Sequence, residues 1–372
     1  MSASTSQRVQ KSFLKYQHVF VFLAPITFVA AVFFAAPLPA EAGDGYWLRY
    51  WWLFPFFLLG ATIVNTVGIS GSALFVPFLI FIFPVLVPYM APETILSTPF
   101  GPSTIVKVSL ISESFGLSSS ALAFIQYGLV DRRLALTIVG GSIPFVVGGA
   151  LLSFIIPEPI FHGLLGLALL AASFLLVRAD LGHEEPGGAD ADDDAAVEAD
   201  GGPDLPNDRG KPGAAGVATD SEGVVTRVDR EGSDYNYGRG GYLERFANYS
   251  IGGIFQGLAG FGSGELGIIS MLRTSIPVRV AIGTNHIVVA ATAVLASLVH
   301  VFGGGLVGGH SIDLATTPWN IVVWTVPATV TGGQIAPYVS AALDTEYLKK
   351  GVGVLFAVIA TALFIMASGG IL

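Results

Sequence analysis

The chain of 372 residues contains no cysteine. That excludes disulfides and thiolate-metal centres, and it leaves the redox compartment undetermined. Charge is scarce too: Asp, Glu, Lys and Arg make up 12% of the chain, against about 25% in soluble domains. No catalytic triad, metal-ligand cluster or basic nucleic-acid surface is recognisable, so no catalytic residue, metal, cofactor or nucleic-acid partner is expected. Hydrophobic residues make up 52%, and the mean hydropathy is +0.69. So little polar surface cannot cover a globule in water, and the implied solvent is the lipid bilayer.

The few charges are unevenly placed. Residues 179–245 hold 17 of the 27 acids and 6 of the 18 basic residues, a net −11 against −9 for the chain, which leaves +2 for the rest. Within this stretch "GHEEPGGADADDDAAVEADGGPDLPNDRG" is rich in Gly, Pro, Asp and Ala. It cannot bury enough apolar area to offset its ordering entropy. Residues 181–245 are therefore expected to be an acidic disordered linker, cytoplasmic because Arg178 and Arg245 flank it.

Long apolar runs fill the remainder. The first covers 18–36 and follows Arg8, Lys11 and Lys15; it is too long for a typical signal-peptide core and reads as a retained helix in segment 1–46. Others lie at 47–67, 72–90, 94–111, 134–156 and 160–177 in a first repeat, 47–180. A second repeat, 246–372, carries 247–271, 280–302, 319–340 and 351–370. The runs do not alternate as barrel strands would, so the expected fold is an all-α polytopic membrane protein.

The repeats share an order of landmarks. Gly68-Ile69-Ser70-Gly71-Ser72 matches Gly260-Phe261-Gly262-Ser263-Gly264, and "LSTPFGPST" at 96–104 matches "IGTNHIVVA" at 282–290. Asp131, Pro144 and Gly148-Gly149 then correspond to Asp313, Pro327 and Gly332-Gly333. Five matches in register imply duplication. Placing Arg132, Arg133, Lys349 and Lys350 inside the cell requires each opening segment to turn back at its glycines. The halves would then be inverted repeats with broken helices.

Gly262 to Gly267 also spell G-x-G-x-x-G, but no Asp or Glu occurs between Glu265 and Asp313 to hold a ribose, and no strand–helix context surrounds the string. Two readings remain. The pairs Gly253/Gly257 and Gly260/Gly264 serve close helix packing, or the glycines also unwind a helix and present backbone N–H groups to an anion.

These glycine segments carry a family resemblance. "GLAGFGSGELGII" followed by Ala281-Ile282-Gly283-Thr284-Asn285, with a degenerate copy from Gly68 to Pro77 and then Leu96-Ser97-Thr98, resembles the TauE/SafE sulfite exporter family. The likeness covers roughly 55–180 and 245–370. Serines replace glycines in the first motif, Ile269 stands where proline is usual, and the central linker is long and acidic. The resemblance implies transport of small, often sulfur-containing anions such as sulfite or organosulfonates.

The expected substrate site comprises Gly68, Ser70, Gly71, Ser72, Thr98, Lys107, Gly260, Gly262, Ser263, Gly264, Thr284 and Asn285. The first break, already drifted to serine, is expected to tolerate substitution better. Ionisable groups within spans are costly and functional by default. Glu265 and His286 are the candidates for coupling to protons or sodium, with a structural pair between Glu265 and Arg273 as the bland alternative for the former. His300 is expected at the membrane interface. A passive anion channel and an intramembrane enzyme remain as rivals, and a homo-oligomer is compatible with the sequence.

Overall fold

The computed structural model describes residues 16–38, 43, 45–91, 101–126, 129–178, 217–219, 225–228, 234–237, 240–274, 276, 278–303, 314, 317–342 and 345–369. Helix α1 is Gln17–Ala35 and α2 is Leu53–Val67. Helix α3, Ser72–Met90, contains a π-helical turn at Phe78–Ile82, directly after Pro77, which has no N–H for the regular ladder. Then follow α4 (Pro102–Gln126), α5 (Arg132–Leu152), α6 (Glu158–Arg178), α7 (Gly240–Ala259) and α8 (Ser263–Arg273). The last three are α9 (Val278–Phe302), α10 (Trp319–Ala342) and α11 (Thr345–Ala367).

The membrane part is all-α. Among the described residues five helices are long and apolar enough to cross a bilayer: Ser72–Met90, Thr104–Gln126, Arg132–Leu152, Arg279–Phe302 and Lys350–Ala367. Large apolar side chains such as Phe34, Val85, Leu136 and Val358 point outward, while Ser112, Glu113, Gln256, Glu265 and Thr325 are buried. A protein in water shows the reverse distribution. Here lipid covers the apolar exterior, and helices must satisfy the polar interior.

Both opening segments are hairpins. Helix α2 ends on Gly68, in the left-handed region at φ 81°, and α7 is followed by Gly260 at φ 90°. A side chain at such a position would be strained, so glycine allows the turn. In the first hairpin Phe57 stacks on Phe75 with centroids 4.4 Å apart, and Trp52 stacks on Phe83 at 5.7 Å. Only a chain that doubles back brings these pairs together. In the second, Arg273 Nε lies 2.9 Å from Glu244 Oε1, and Arg245 donates to Thr274 Oγ1 at the hairpin's base.

Numbering α2–α6 as one half and α7–α11 as the other, the largest helix contacts correspond when the halves are exchanged. Helix α2 packs on α10 as α7 packs on α5, and α4 packs on α10 as α9 packs on α5. Helix α4 meets α9, its own counterpart, and α6 meets α11. The glycine pairs make these contacts. A Cβ at Gly149 would lie 2.1 Å from Ile254 O on α7, and one at Gly332 would lie 2.8 Å from Leu58 O on α2.

Several boundaries differ from those expected. Of the run at 94–111, residues 94–100 lie outside the described residues and 102–111 open a longer helix, α4, whose second half is "ISESFGLSSSALAFIQ". Its serines hydrogen-bond back to carbonyls of the same helix, as Ser112 does to Val108 O and Ser114 to Leu110 O, so the helix needs no apolar surface there. Helix α7 begins at Gly240, within the stretch expected as linker, and its Arg245 is buried and donates to Thr274. The linker is not devoid of secondary structure: Val217–Thr219, Val225–Val228 and Asp234–Tyr237 form an antiparallel sheet in the order β1-β2-β3. "VAT", "VTRV" and "DYNY" supply the β-branched and aromatic residues that favour strands.

Candidate functional site

The two hairpin tips touch. A Cβ at Gly264 would lie 2.7 Å from Ser70 N, and one at Gly260 would lie 3.0 Å from the Ser72 side chain. Gly253 and Gly257 instead face Val146 on α5, the latter with a notional Cβ 2.1 Å from Val146 O. One glycine pair thus packs helices, and the other joins the breaks. Asn285 on α9 pins the crossing: its Nδ2 donates to Gly68 O at 2.8 Å and to Gly264 O at 3.0 Å. Its Oδ1 accepts from the Tyr249 hydroxyl at 2.5 Å. The amide therefore satisfies the carbonyl left over at the end of α2 and ties it to the first turn of α8.

Helices α3 and α8 begin at this crossing and direct their N-terminal N–H groups into it. Their partners are carboxylates of the protein. Glu265 Oε2 accepts from Gly262 N–H at 2.8 Å, and its Oε1 accepts from Ser70 N–H at 3.0 Å. At the other tip Glu113 Oε2 accepts from Ser72 N–H at 2.8 Å and also from the Ser72 hydroxyl. Partial positive charge at the two helix starts favours such groups. Each carboxylate is 1% exposed, and no salt bridge among the described residues involves either one.

Gln256 on α7 links the two. Its Nε2 donates to Glu113 Oε1 at 3.2 Å, and its Oε1 accepts from Ser70 Oγ at 3.4 Å. Ser70 Oγ also lies 3.2 Å from Glu265 Oε2. Ser263 Oγ, in the first turn of α8, is buried and has no hydrogen-bond partner among the described residues.

Of the expected site residues, Gly68, Ser70, Gly71, Ser72, Gly260, Gly262, Ser263, Gly264 and Asn285 lie at or beside the crossing. Thr284 is engaged elsewhere, accepting from the Asp131 N–H at 2.9 Å where Asp131 caps α5. Lys107 lies half-buried on α4, six residues before Glu113, about 9 Å of helix rise. Thr98 and Asp313 lie outside the described residues. Glu265 does not pair with Arg273, which is taken by Glu244. His286 turns away from the tips: Nδ1 meets Ser120 Oγ at 3.0 Å, and Nε2 has no partner among the described residues. His300 is 2% exposed, inside the bundle and not at its edge, with Nε2 2.7 Å from Gly257 O. Among the described residues no group of three or more His, Cys, Asp or Glu could hold a metal ion.

Glu113 was missed by the sequence reading. The hydropathy run ended at 111, yet Glu113 is the only acid between Lys107 and Asp131, and such isolation was the available signal.

The "Probable membrane transporter protein YunE" of Bacillus subtilis (strain 168) is 22% identical over 291 residues, covering 78% of this chain and 88% of that relative. No solved structure matches the chain. The family described as "Sulfite exporter TauE/SafE" matches residues 52–363, from the residue before α2 into α11, and so takes in both hairpins and their crossing. With most of its length matched, the chain belongs to the sulfite exporter TauE/SafE family of membrane proteins.

Proposed function

We propose that this protein is a secondary transporter of small, sulfur-containing anions, working by alternating access around the crossed hairpin tips. One observation carries the reading: two helix N-termini, one from each half, converge on a buried polar point, with N–H groups and hydroxyls directed inward. Discontinuous helices with such ends at an anion are the recurring solution in transporters with repeated halves. Ser263, which has no hydrogen-bond partner among the described residues, adds a hydroxyl in the same turn.

The halves are inverted in this proposal. The support is that counterpart helices run antiparallel. Gly163 faces Ala367 while Gly166 faces Ala360, and Ser114 meets Ser297 while Ser120 meets His286. A rotation axis along the membrane normal would make counterparts parallel. Rocking one half against the other would expose the crossing to each side in turn.

The test is a substrate screen in proteoliposomes with sulfite, sulfate, thiosulfate, sulfonates and carboxylates. Uptake of a sulfur oxyanion or a sulfonate, with accumulation against its gradient, is expected. Movement that only dissipates gradients would make the protein a channel. Uptake of carboxylates alone would overturn the substrate class.

A further inference from the structure

The carboxylates at the crossing pose a problem for an anion carrier, because they occupy the very donors an anion needs. The hydrogen-bond chain between them shows how this is resolved. Ser70 Oγ has one proton and two acceptors in reach, Gln256 Oε1 at 3.4 Å and Glu265 Oε2 at 3.2 Å. If it donates to Gln256, its contact with Glu265 is a hydrogen bond only when Glu265 carries a proton. Gln256 then presents Nε2 to Glu113, which accepts and needs no proton of its own for this contact.

Turning the Gln256 amide by half a turn reverses every bond. Nε2 then donates to Ser70, Ser70 donates to Glu265, and Gln256 Oε1 accepts a hydrogen bond from Glu113, which now carries the proton. With both carboxyls ionised, one contact in the chain is always left without a proton. Two like charges in a buried site without a cation would also add their desolvation and repulsion.

We infer that Glu113 and Glu265 form one proton-binding pair, communicating through Ser70 and Gln256, that couples substrate movement to protons. In the two arrangements one O–H bond exists on one carboxyl or on the other, with no change in total protons. The carboxyl that holds the proton loosens its claim on its helix N-terminus, which frees the N–H for an anion. Proton and anion therefore bind together and travel in the same direction. The coupling half of this inference rests on the proposed anion transport, whereas the shared proton does not.

Most other titratable groups on the surrounding helices are hydrogen-bonded elsewhere. Lys107 is on α4 itself, His286 is held by Ser120 and His300 by Gly257 on α9, and Tyr249 and Arg245 on α7 hydrogen-bond Asn285 and Thr274. Helix α3, on the remaining side, contributes Ser72 and carries no charged residue.

Infrared difference spectra of the purified full-length protein, taken between acidic and alkaline buffers, test the shared proton without any substrate. A neutral carboxylic-acid C=O band at neutral pH is expected in the wild type. It should shift in Glu113→Gln, in Glu265→Gln and in Gln256→Leu, and vanish in the double Glu variant. Absence of the band in the wild type, or its survival in the double variant, overturns the inference. Gln256→Leu keeps the test open should a Glu variant fail to fold.

Coupling is read in proteoliposomes containing a pH dye and given a thiosulfate gradient, because thiosulfate carries no proton of its own near neutrality. The wild type should acidify the compartment that thiosulfate enters, and Glu113→Gln should move fewer protons per thiosulfate. An unchanged ratio in Glu113→Gln, or a ratio that follows sodium and not protons, overturns coupling at this pair. If wild-type protein moves no thiosulfate while the infrared band behaves as expected, the anion reading fails for thiosulfate and the shared proton stands.

Discussion

Gly264 stands over Ser70 so closely that a methyl group at 264 would lie 2.7 Å from the Ser70 backbone nitrogen. Contact at this distance with a backbone atom of another hairpin cannot be relieved by a side-chain rotation. Gly264→Ala is therefore expected to separate the tips, at a cost of about 1–3 kcal/mol for overpacking, and Gly264→Leu to abolish transport. Gly262 has a second constraint, φ 127°, so Gly262→Leu should fail as well. Uptake and thermal unfolding in detergent check both. Full activity in Gly264→Leu would reduce the tip contact to coincidence.

Asn285 should behave as a structural pin. Its replacement by Ala strands Gly68 O and the Tyr249 hydroxyl and removes a second donor from Gly264 O, which α8 still satisfies. Each buried polar group so stranded costs about 1–3 kcal/mol. Combined with Tyr249→Phe in a double-mutant cycle, the effects should be less than additive, because the second change removes a group already orphaned. Additive losses in unfolding temperature would count against the shared bond.

Substitutions at Ser70 and Ser72 should not be milder than those at the second tip, contrary to the expectation from that motif's drift. Ser72→Ala removes the hydroxyl that binds Glu113, and Ser70→Ala breaks the link from Gln256 to Glu265. Ser70→Ala is expected to flatten the pH dependence of uptake while the backbone N–H to Glu265 persists. A pH profile identical to wild type would show that the serine hydroxyl takes no part.

Glu265→Gln should change two properties at once. It places an amide where Gly262 N–H and Ser70 N–H both need acceptors, so part of the α8 cap is lost, at roughly 0.5–2 kcal/mol. It also removes a titratable group, so uphill transport driven by a proton gradient should disappear. Retained uphill transport with an unchanged pH profile would make Glu265 structural only. Lys107→Met removes the one cation of α4, six residues before Glu113, and is expected to raise the substrate concentration for half-maximal uptake modestly.

Deletion of residues 186–236 should leave membrane insertion and transport intact. The deletion removes β1, β2 and most of β3, and among the described residues these strands pair only with one another. Loss of folding would mean that the linker docks on the bundle. A Ser221→Cys variant labelled from outside intact cells by an impermeant reagent would overturn a cytoplasmic linker.

The membrane solvent, the positions of the apolar helices and the two breaks were determined by the sequence alone. These are local properties: an apolar run must form its own hydrogen bonds in lipid, and Gly68 and Gly260 permit a left-handed turn whatever surrounds them. The two glycine pairs were legible as well, and Gly149 and Gly332 each stand where the backbone of another helix approaches. Tertiary structure alone decided which groups meet at the crossing. Helix α4 looked too polar to continue past 111, but 78% of its membrane-spanning window is buried within the bundle, where serines satisfy carbonyls and lipid is excluded. That burial carries Glu113 to the α3 N-terminus, 41 residues along the chain from Ser72. It likewise sends Arg273 to Glu244 and leaves Glu265 to Ser70, 195 residues away. A carboxylate's partner is set by which helix ends the packing brings within hydrogen-bond reach, and spacing along one chain does not encode that distance.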